Sequence, residues 1–323
     1  MKRRGCSFVA ALLLVGALGL AWFAASWWFF GNLDEERAFV VPSGSSLTAV
    51  AQKLEAEGAI DSADAFLLRA RILGSSDPIK AGEFLLPAGA SPATILDTFQ
   101  HGEVIRRFVT IPEGLPSIMV WERLMAEPLL TGEVPVPAEG SVLPESYDFE
   151  RGESRAAVLA RMQAAMQRTI DELWPKRGPN SVVKTKQEAV TLASIVEKET
   201  AEPGERPMIA GVLSNRLRIG MMLGADATTI YPITKGKPLG RLIRRSELRD
   251  RNPYNTRAVA GLPPGPITNP GRDSLAAVLN PARTDALYYV ADGSGGHVFS
   301  RTLEEHNANA AKWRAIRRAR GEM

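Results

Sequence analysis

The stretch Gln187-Glu188-Ala189-Val190-Thr191-Leu192-Ala193-Ser194-Ile195-Val196-Glu197-Lys198-Glu199-Thr200 reads as an amphipathic helix. At about 100° per residue, Ala189, Leu192, Ala193, Ile195 and Val196 share one apolar arc. Glu199 follows Leu192 by seven residues, Ile195 by four and Val196 by three, so a carboxylate falls near the middle of that arc. Glu197 lies at its edge and Lys198 on the polar side. A glutamate turned into packing is costly unless it is paired or protonated. Packed in that way its pKa rises, which suits a general acid at neutral pH. The alternative is a helix end whose last turn bends away and leaves Glu199 solvated. Spacing alone does not choose between them.

Around this helix the chain has 323 residues, enough for an anchor and two or three small domains. The formal charge of +3 is small for that length, and no basic stripe interleaved with aromatics marks a nucleic-acid binder. Cys6 is the single cysteine, which excludes an internal disulfide and paired zinc-ligand cysteines. His101, His297 and His306 are far apart and form no HExxH, so neither a metal site nor a cofactor is expected.

At the N-terminus, Lys2, Arg3 and Arg4 precede an uncharged run from Gly5 to Leu33. Its core, Phe8 to Phe30, exceeds the roughly 20 residues that span a bilayer. Basic residues before it and Asp34-Glu35-Glu36 after it give an N-in, C-out orientation. Trp27-Trp28-Phe29-Phe30 is expected at the outer interface as an aromatic belt. A cleaved signal peptide is the competing reading, with Ala24-Ala25-Ser26 as the cleavage site. The apolar run continues past that point and favours a retained anchor.

The next segment alternates short strands and helices. Phe39-Val41 and Ala81-Pro87 read as strands, and helices are expected from Ser45 or Ser46 through Leu54, over Ala63–Leu73, and from Ser91 or Pro92 to Phe99. Val104–Ile111 is a third strand. The layout resembles the LysM-like fold of wall-binding modules. From Pro112 to Tyr147 the chain is rich in Pro and Gly, with one helix over Ser117–Met125 in an otherwise irregular connection. Arg155 to Trp174 is a long helix, and Met208–Leu217 and Ser274–Leu279 are shorter ones. Arg241 to Arg251 is a basic, solvated surface, and Asn252-Pro253-Tyr254-Asn255 is turn chemistry. Leu287-Tyr288-Tyr289-Val290 and His297-Val298-Phe299-Ser300 form a hairpin, followed by a basic helix from Leu303.

No G-x-S-x-G, Walker A or dinucleotide fingerprint is present, and a cysteine nucleophile beyond the membrane is excluded. Carboxylate chemistry remains. Here Leu192–Thr200, Asn215-Arg216-Leu217, Asp226-Ala227-Thr228, Ile230-Tyr231, Tyr254-Asn255-Thr256, Gly261-Leu262-Pro263-Pro264-Gly265, Val290–Gly293 and Gly296–Phe299 resemble, in order and spacing, the endolytic murein transglycosylase (YceG-like, MltG) family. Glu139-Gly140 and Leu143–Tyr147 resemble its upstream motif.

The resemblance implies an α+β protein. Residues 1–33 would be a cytoplasmic tip and transmembrane anchor, 34–111 a LysM-like domain, 112–180 a connecting region and 181–323 the catalytic domain. It implies cleavage of the β-1,4 bond between N-acetylmuramic acid and N-acetylglucosamine, leaving 1,6-anhydro ends, at the outer face of the cytoplasmic membrane. Implied partners are glycan strands, penicillin-binding proteins and other wall-synthesis enzymes, and the lipid bilayer. Glu199 takes the catalytic role, while Asn215, Asp226, Thr228, Tyr231, Tyr254, Asn255 and His297 are candidates to line the cleft. Each of the seven has an alternative role as a turn hydrogen bond, a cap or a buried ring. The chain departs from the family pattern at Gly224, Ala225 and Ala227 around Asp226, at Ser141, and at Glu145-Ser146. A glycan-binding scaffold without activity is the alternative function; an exported peptidase lacks any nucleophile or metal motif.

Overall fold

Helix α1 (Lys2–Trp28) opens the chain in the computed structural model, which describes residues 2–321. Its Ala11–Trp28 stretch is long and apolar enough to cross a membrane, a property shared with signal sequences. The aromatic belt expected at its end is corrected at one position. Trp28, Phe29 and Phe30 are exposed, but Trp27 is only 1% exposed. The last turn of α1 meets helices of the first folded unit, and the Trp27 ring lies 5.7 Å from that of Phe66. A ring of that size contributes a large buried area to the core it enters.

The first unit runs as far as Arg107. Strand β1 (Arg37–Val41) pairs antiparallel with β2 (Gly82–Leu86), with Phe39 opposite Phe84. Between them come α2 (Leu47–Ala56) and α3 (Ala63–Leu73), and α4 (Pro92–His101) follows β2. Ser46, Ser62 and Ser91 cap the three helices by accepting from backbone N–H groups of the first turn. Phe99 of α4 packs against Phe39 and Phe84 at ring distances of 5.3 and 5.4 Å, which joins the helix layer to the strand pair.

The second unit begins at Phe108. The strand read at Val104–Ile111 is shorter in the structure, β3 (Arg107–Thr110). Its partner is β4 (Ser146–Phe149), a strand that begins at the end of the segment expected to be an irregular connection. Helix α5 (Ser117–Ala126) lies between β3 and β4 in the chain, and α6 (Arg155–Leu173), α7 (Lys186–Glu199), α8 (Arg206–Arg218) and α9 (Asp226–Thr234) follow β4. The basic Arg241–Arg251 segment contains a short helix, α10 (Arg245–Arg249). Helix α11 (Arg272–Leu279), the antiparallel hairpin β5 (Tyr288–Ala291) and β6 (His297–Ser300), and α12 (Leu303–Ala319) complete the unit.

Helix α7 lies at the centre of the second unit. Thr185 caps it by accepting from Glu188 N. The helix was expected to be amphipathic, but Ala189 through Val196 are all buried. Helices α8 and α11 pack against it, and the apolar arc of the sequence is only part of the covered surface. The polar residues on the remaining faces are satisfied internally. Ser194 Oγ donates to Thr191 O at 2.7 Å and accepts from Ile267 N at 3.0 Å, which ties the proline-rich loop to the helix.

Candidate active site

Two glutamates at the end of α7 have different surroundings. The Glu197 side chain is 4% exposed and paired with Arg206, itself 7% exposed, at 3.0 Å. The second Glu197 oxygen accepts from Gly271 N at 2.8 Å. Arg206 also reaches Glu113 at 2.6 Å. Glu197 is therefore fully committed to joining α7, α8 and the start of α11.

Glu199 has no such ion pair among the described residues. It is the last residue of α7, and its Oε2 accepts a 2.6 Å hydrogen bond from Tyr289 Oη on β5. Burial raises its pKa above the ordinary carboxylate value. The negative charge of Asp226 adds to the rise, while the Tyr289 hydrogen bond and the charges of Arg257 and His297 oppose it. Tyr289 is pushed well above the usual tyrosine value, first by burial and then by the Glu199 charge, so it remains a donor. The packed, protonation-prone carboxyl is the alternative that spacing left open at the sequence level.

The surroundings of this pair are built from four elements. Glu205, just before α8, holds the hairpin. One of its oxygens accepts from His297 N at 2.7 Å, and the other lies 2.7 Å from His297 Nδ1. Thr200, the residue after α7, donates to the same carboxylate at 3.1 Å. The Tyr289 ring stands edge-on to His297 at 5.5 Å, and the Arg216 guanidinium lies 5.8 Å from its centroid. Arg216 is fixed by its contacts to Leu287 O and Leu223 O, both 2.6 Å. Asp226 opens α9 and is ion-paired with Arg257 at 2.5 Å.

A second cluster gathers Tyr231, Tyr254 and Glu139. The two tyrosine rings are 4.8 Å apart. Glu139 accepts from Ser117 N at 2.8 Å and interacts with the Tyr231 hydroxyl. Burial raises the Glu139 pKa, and these hydrogen bonds oppose the rise. Gly140 beside it adopts φ +75°, and a Cβ there would approach Pro266 to 2.6 Å, so only glycine lets this segment meet the proline-rich loop.

Of the residues read from sequence, Glu199, Asp226 and His297 converge, and Tyr231 and Tyr254 pair. Asn215, Thr228 and Asn255 instead hold loops together. Asn215 Nδ2 donates to Thr284 O and Ala286 O at 2.8 and 3.1 Å. Thr228 is fully buried, with its hydroxyl 2.7 Å from that of Thr256. Buried Asn255 donates to the carbonyls of Glu247, Leu248 and Asp250 and accepts from Thr229 Oγ1. With every amide position used, Asn255 has nothing left to offer a ligand. Tyr289, Glu205, Arg216 and Arg257 were not singled out in the sequence. A tyrosine in a half-buried hairpin needs a partner for its hydroxyl, and that was the available signal for Tyr289.

The model of the YceG-like family matches residues 39–312. The chain is 28% identical over 305 residues to the endolytic murein transglycosylase of Bacillus subtilis (strain 168), covering 84% of this chain and 83% of that one. It is 29% identical over 325 residues to the endolytic murein transglycosylase of Streptococcus pneumoniae serotype 2 (strain D39 / NCTC 7466), covering 84% of this chain and 57% of the relative. The crystal structure of a yceG-like protein from Listeria monocytogenes superposes with a TM-score of 0.53 at 28% identity, over 85% of this chain and 98% of that one.

Proposed function

Because this chain belongs to the YceG-like family, we propose that it is a membrane-anchored endolytic murein transglycosylase. Its substrate is the β-1,4 bond between N-acetylmuramic acid and N-acetylglucosamine inside glycan strands. The observation that carries the reading is one carboxyl, Glu199, with a raised pKa and one oxygen held by Tyr289. A hydrolase usually works with two carboxyls in distinct roles. The nearby Asp226 is bound to Arg257, which leaves Glu199 to do both proton transfers.

Protonated Glu199 gives its proton from Oε1 to the glycosidic oxygen as the bond to C1 breaks. Tyr289 holds Oε2 and stabilises the carboxylate that forms. The 2-acetamido group of the muramyl residue shields the developing cation. Ionised Glu199 then takes the proton of the C6 hydroxyl, whose oxygen attacks C1 and closes the 1,6-anhydro ring. The attack is intramolecular, so it gains from proximity and needs no water. Asp226, His297, Tyr231 and Tyr254 border the strand. The first unit, with its β1-α2-α3-β2 order, acts as a LysM-like module, and α1 anchors the chain with its N-terminus inside.

Incubating the purified protein with sacculi and analysing released fragments by mass spectrometry tests this. The wild type is expected to release anhydro-ended fragments. Glu199→Gln is expected to cut release by about 10²–10⁴-fold while remaining folded. Reducing ends in place of anhydro ends would overturn the non-hydrolytic step. Binding to sacculi without release by the wild type would favour the scaffold reading.

A further inference from the structure

One cavity of the second unit lies outside the Glu199 cluster but begins beside it. It has a volume of ≈ 470 Å³, and Lys198 and Ala227, the sequence neighbours of Glu199 and Asp226, both line it. Its apolar walls are Leu115, Met119, Ile230 and Leu239. Gly236 closes one side at φ +82°, where a Cβ would come within 2.7 Å of Pro116, so the wall depends on glycine. No aromatic ring lines the cavity. A sugar ring is usually met by aromatic faces and a dense set of hydrogen-bonding side chains, and neither is found here.

The charges of the cavity are unequal in what they leave over. Glu113 is paired with Arg206, and Lys237 with Glu122. The Lys198 ammonium has no carboxylate partner among the described residues, and its hydrogen bond is to Gly114 O at 3.5 Å. The cavity therefore presents apolar walls and one cation that no acid neutralises. Its volume suits a short peptide of about three residues.

We propose that this cavity is a subsite for the lactyl-linked peptide carried by the muramyl residue next to the scissile bond. Alkyl side chains of the peptide pack on Leu115, Met119 and Ile230, and a free peptide carboxylate pairs with Lys198. This subsite rests on the murein reading above, and it makes the enzyme a reader of peptide-bearing strands.

The test compares kcat/KM on soluble glycan strands that carry their peptides with the same strands stripped by an amidase. The wild type should prefer peptide-bearing strands. In Lys198→Ala the ratio of the two kcat/KM values should fall about tenfold, the scale of one charge-assisted contact. Lys198→Arg should restore the preference, and Met119→Trp, which fills the cavity, should lose it. Equal wild-type rates on the two substrates, or variants that lower both rates alike, would overturn the subsite. Cleavage of stripped strands reports the murein activity by itself, so failure of the subsite is distinguishable from failure of that reading.

Discussion

At the scale of single residues, the environment of Glu199 fixes the sign of several pH effects. Its folded pKa lies above the ordinary carboxylate value of 4.5 because of burial. In the proposed mechanism the protonated form is the reactive acid, so kcat/KM should fall on the alkaline side, with a midpoint above that value. Tyr289→Phe removes a hydrogen bond that lowers the pKa, so the alkaline limb should move to higher pH. The maximal rate should drop about ten- to hundredfold, because the conjugate base loses its donor. Asp226→Asn removes a charge that raises the pKa, so its limb should move to lower pH. A pH–rate series on the three proteins checks these opposite shifts; shifts of the same sign would contradict the geometry. Stability follows the same linkage. A raised folded pKa stabilises below the unfolded value, and that contribution is lost as pH rises through the folded value. Glu199→Gln should therefore match the wild type in Tm at acid pH and exceed it increasingly toward neutral pH. Helical spacing placed Glu199 on the apolar arc and allowed both a packed and a solvated carboxyl there; the packed one is what the structure holds. Tyr289 was not, because the partner of a strand residue is set by the packing of a hairpin 90 residues away in sequence.

At the scale of elements, α7 gives the candidate site a packed base. A helix buried over Ala189–Val196 cannot shift without opening the core. Sequence periodicity found its apolar arc but not its complete burial, because the other faces carry Thr191 and Ser194, whose hydroxyls bond back to the helix's own carbonyls. Ser194→Ala should cost about 1–3 kcal/mol in chemical denaturation, since Ile267 N loses its acceptor in a buried place. Glu197→Ala should cost more, about 3–5 kcal/mol, because it leaves the guanidinium of buried Arg206 short of a partner. Both losses are readable as shifts in the denaturation midpoint. The strand β4 was missed for a related reason. Its four residues, Ser146–Phe149, follow a proline-rich run, and only the distant β3 makes them a strand.

At the scale of the molecule, the two units have separate hydrophobic cores. One gathers Trp27, Phe39, Phe84 and Phe99, and the other Val120, Met162, Leu192 and Leu275. The alternating strands and helices before residue 107 and the motifs after it that carry the family resemblance were both legible, because each unit's pattern is local. The position of the division was less so, since Val104–Ile111 reads as one strand although the units part between Arg107 and Phe108. Separate cores predict separate folding. A fragment from Phe108 to the C-terminus should unfold in one cooperative transition and should retain Glu199-dependent cleavage of soluble strands, because the carboxyl, Tyr289, Asp226 and Glu205 all lie within it. It should also lose the membrane association proposed for the full chain, because Ala11–Trp28, the apolar stretch among the described residues long enough to span a bilayer, is gone. Differential scanning calorimetry, cleavage assays and membrane flotation of the fragment beside the full chain separate these contributions. A fragment that folds but cleaves soluble strands far more slowly than the full chain would mean that the first unit takes part in holding the glycan at the site.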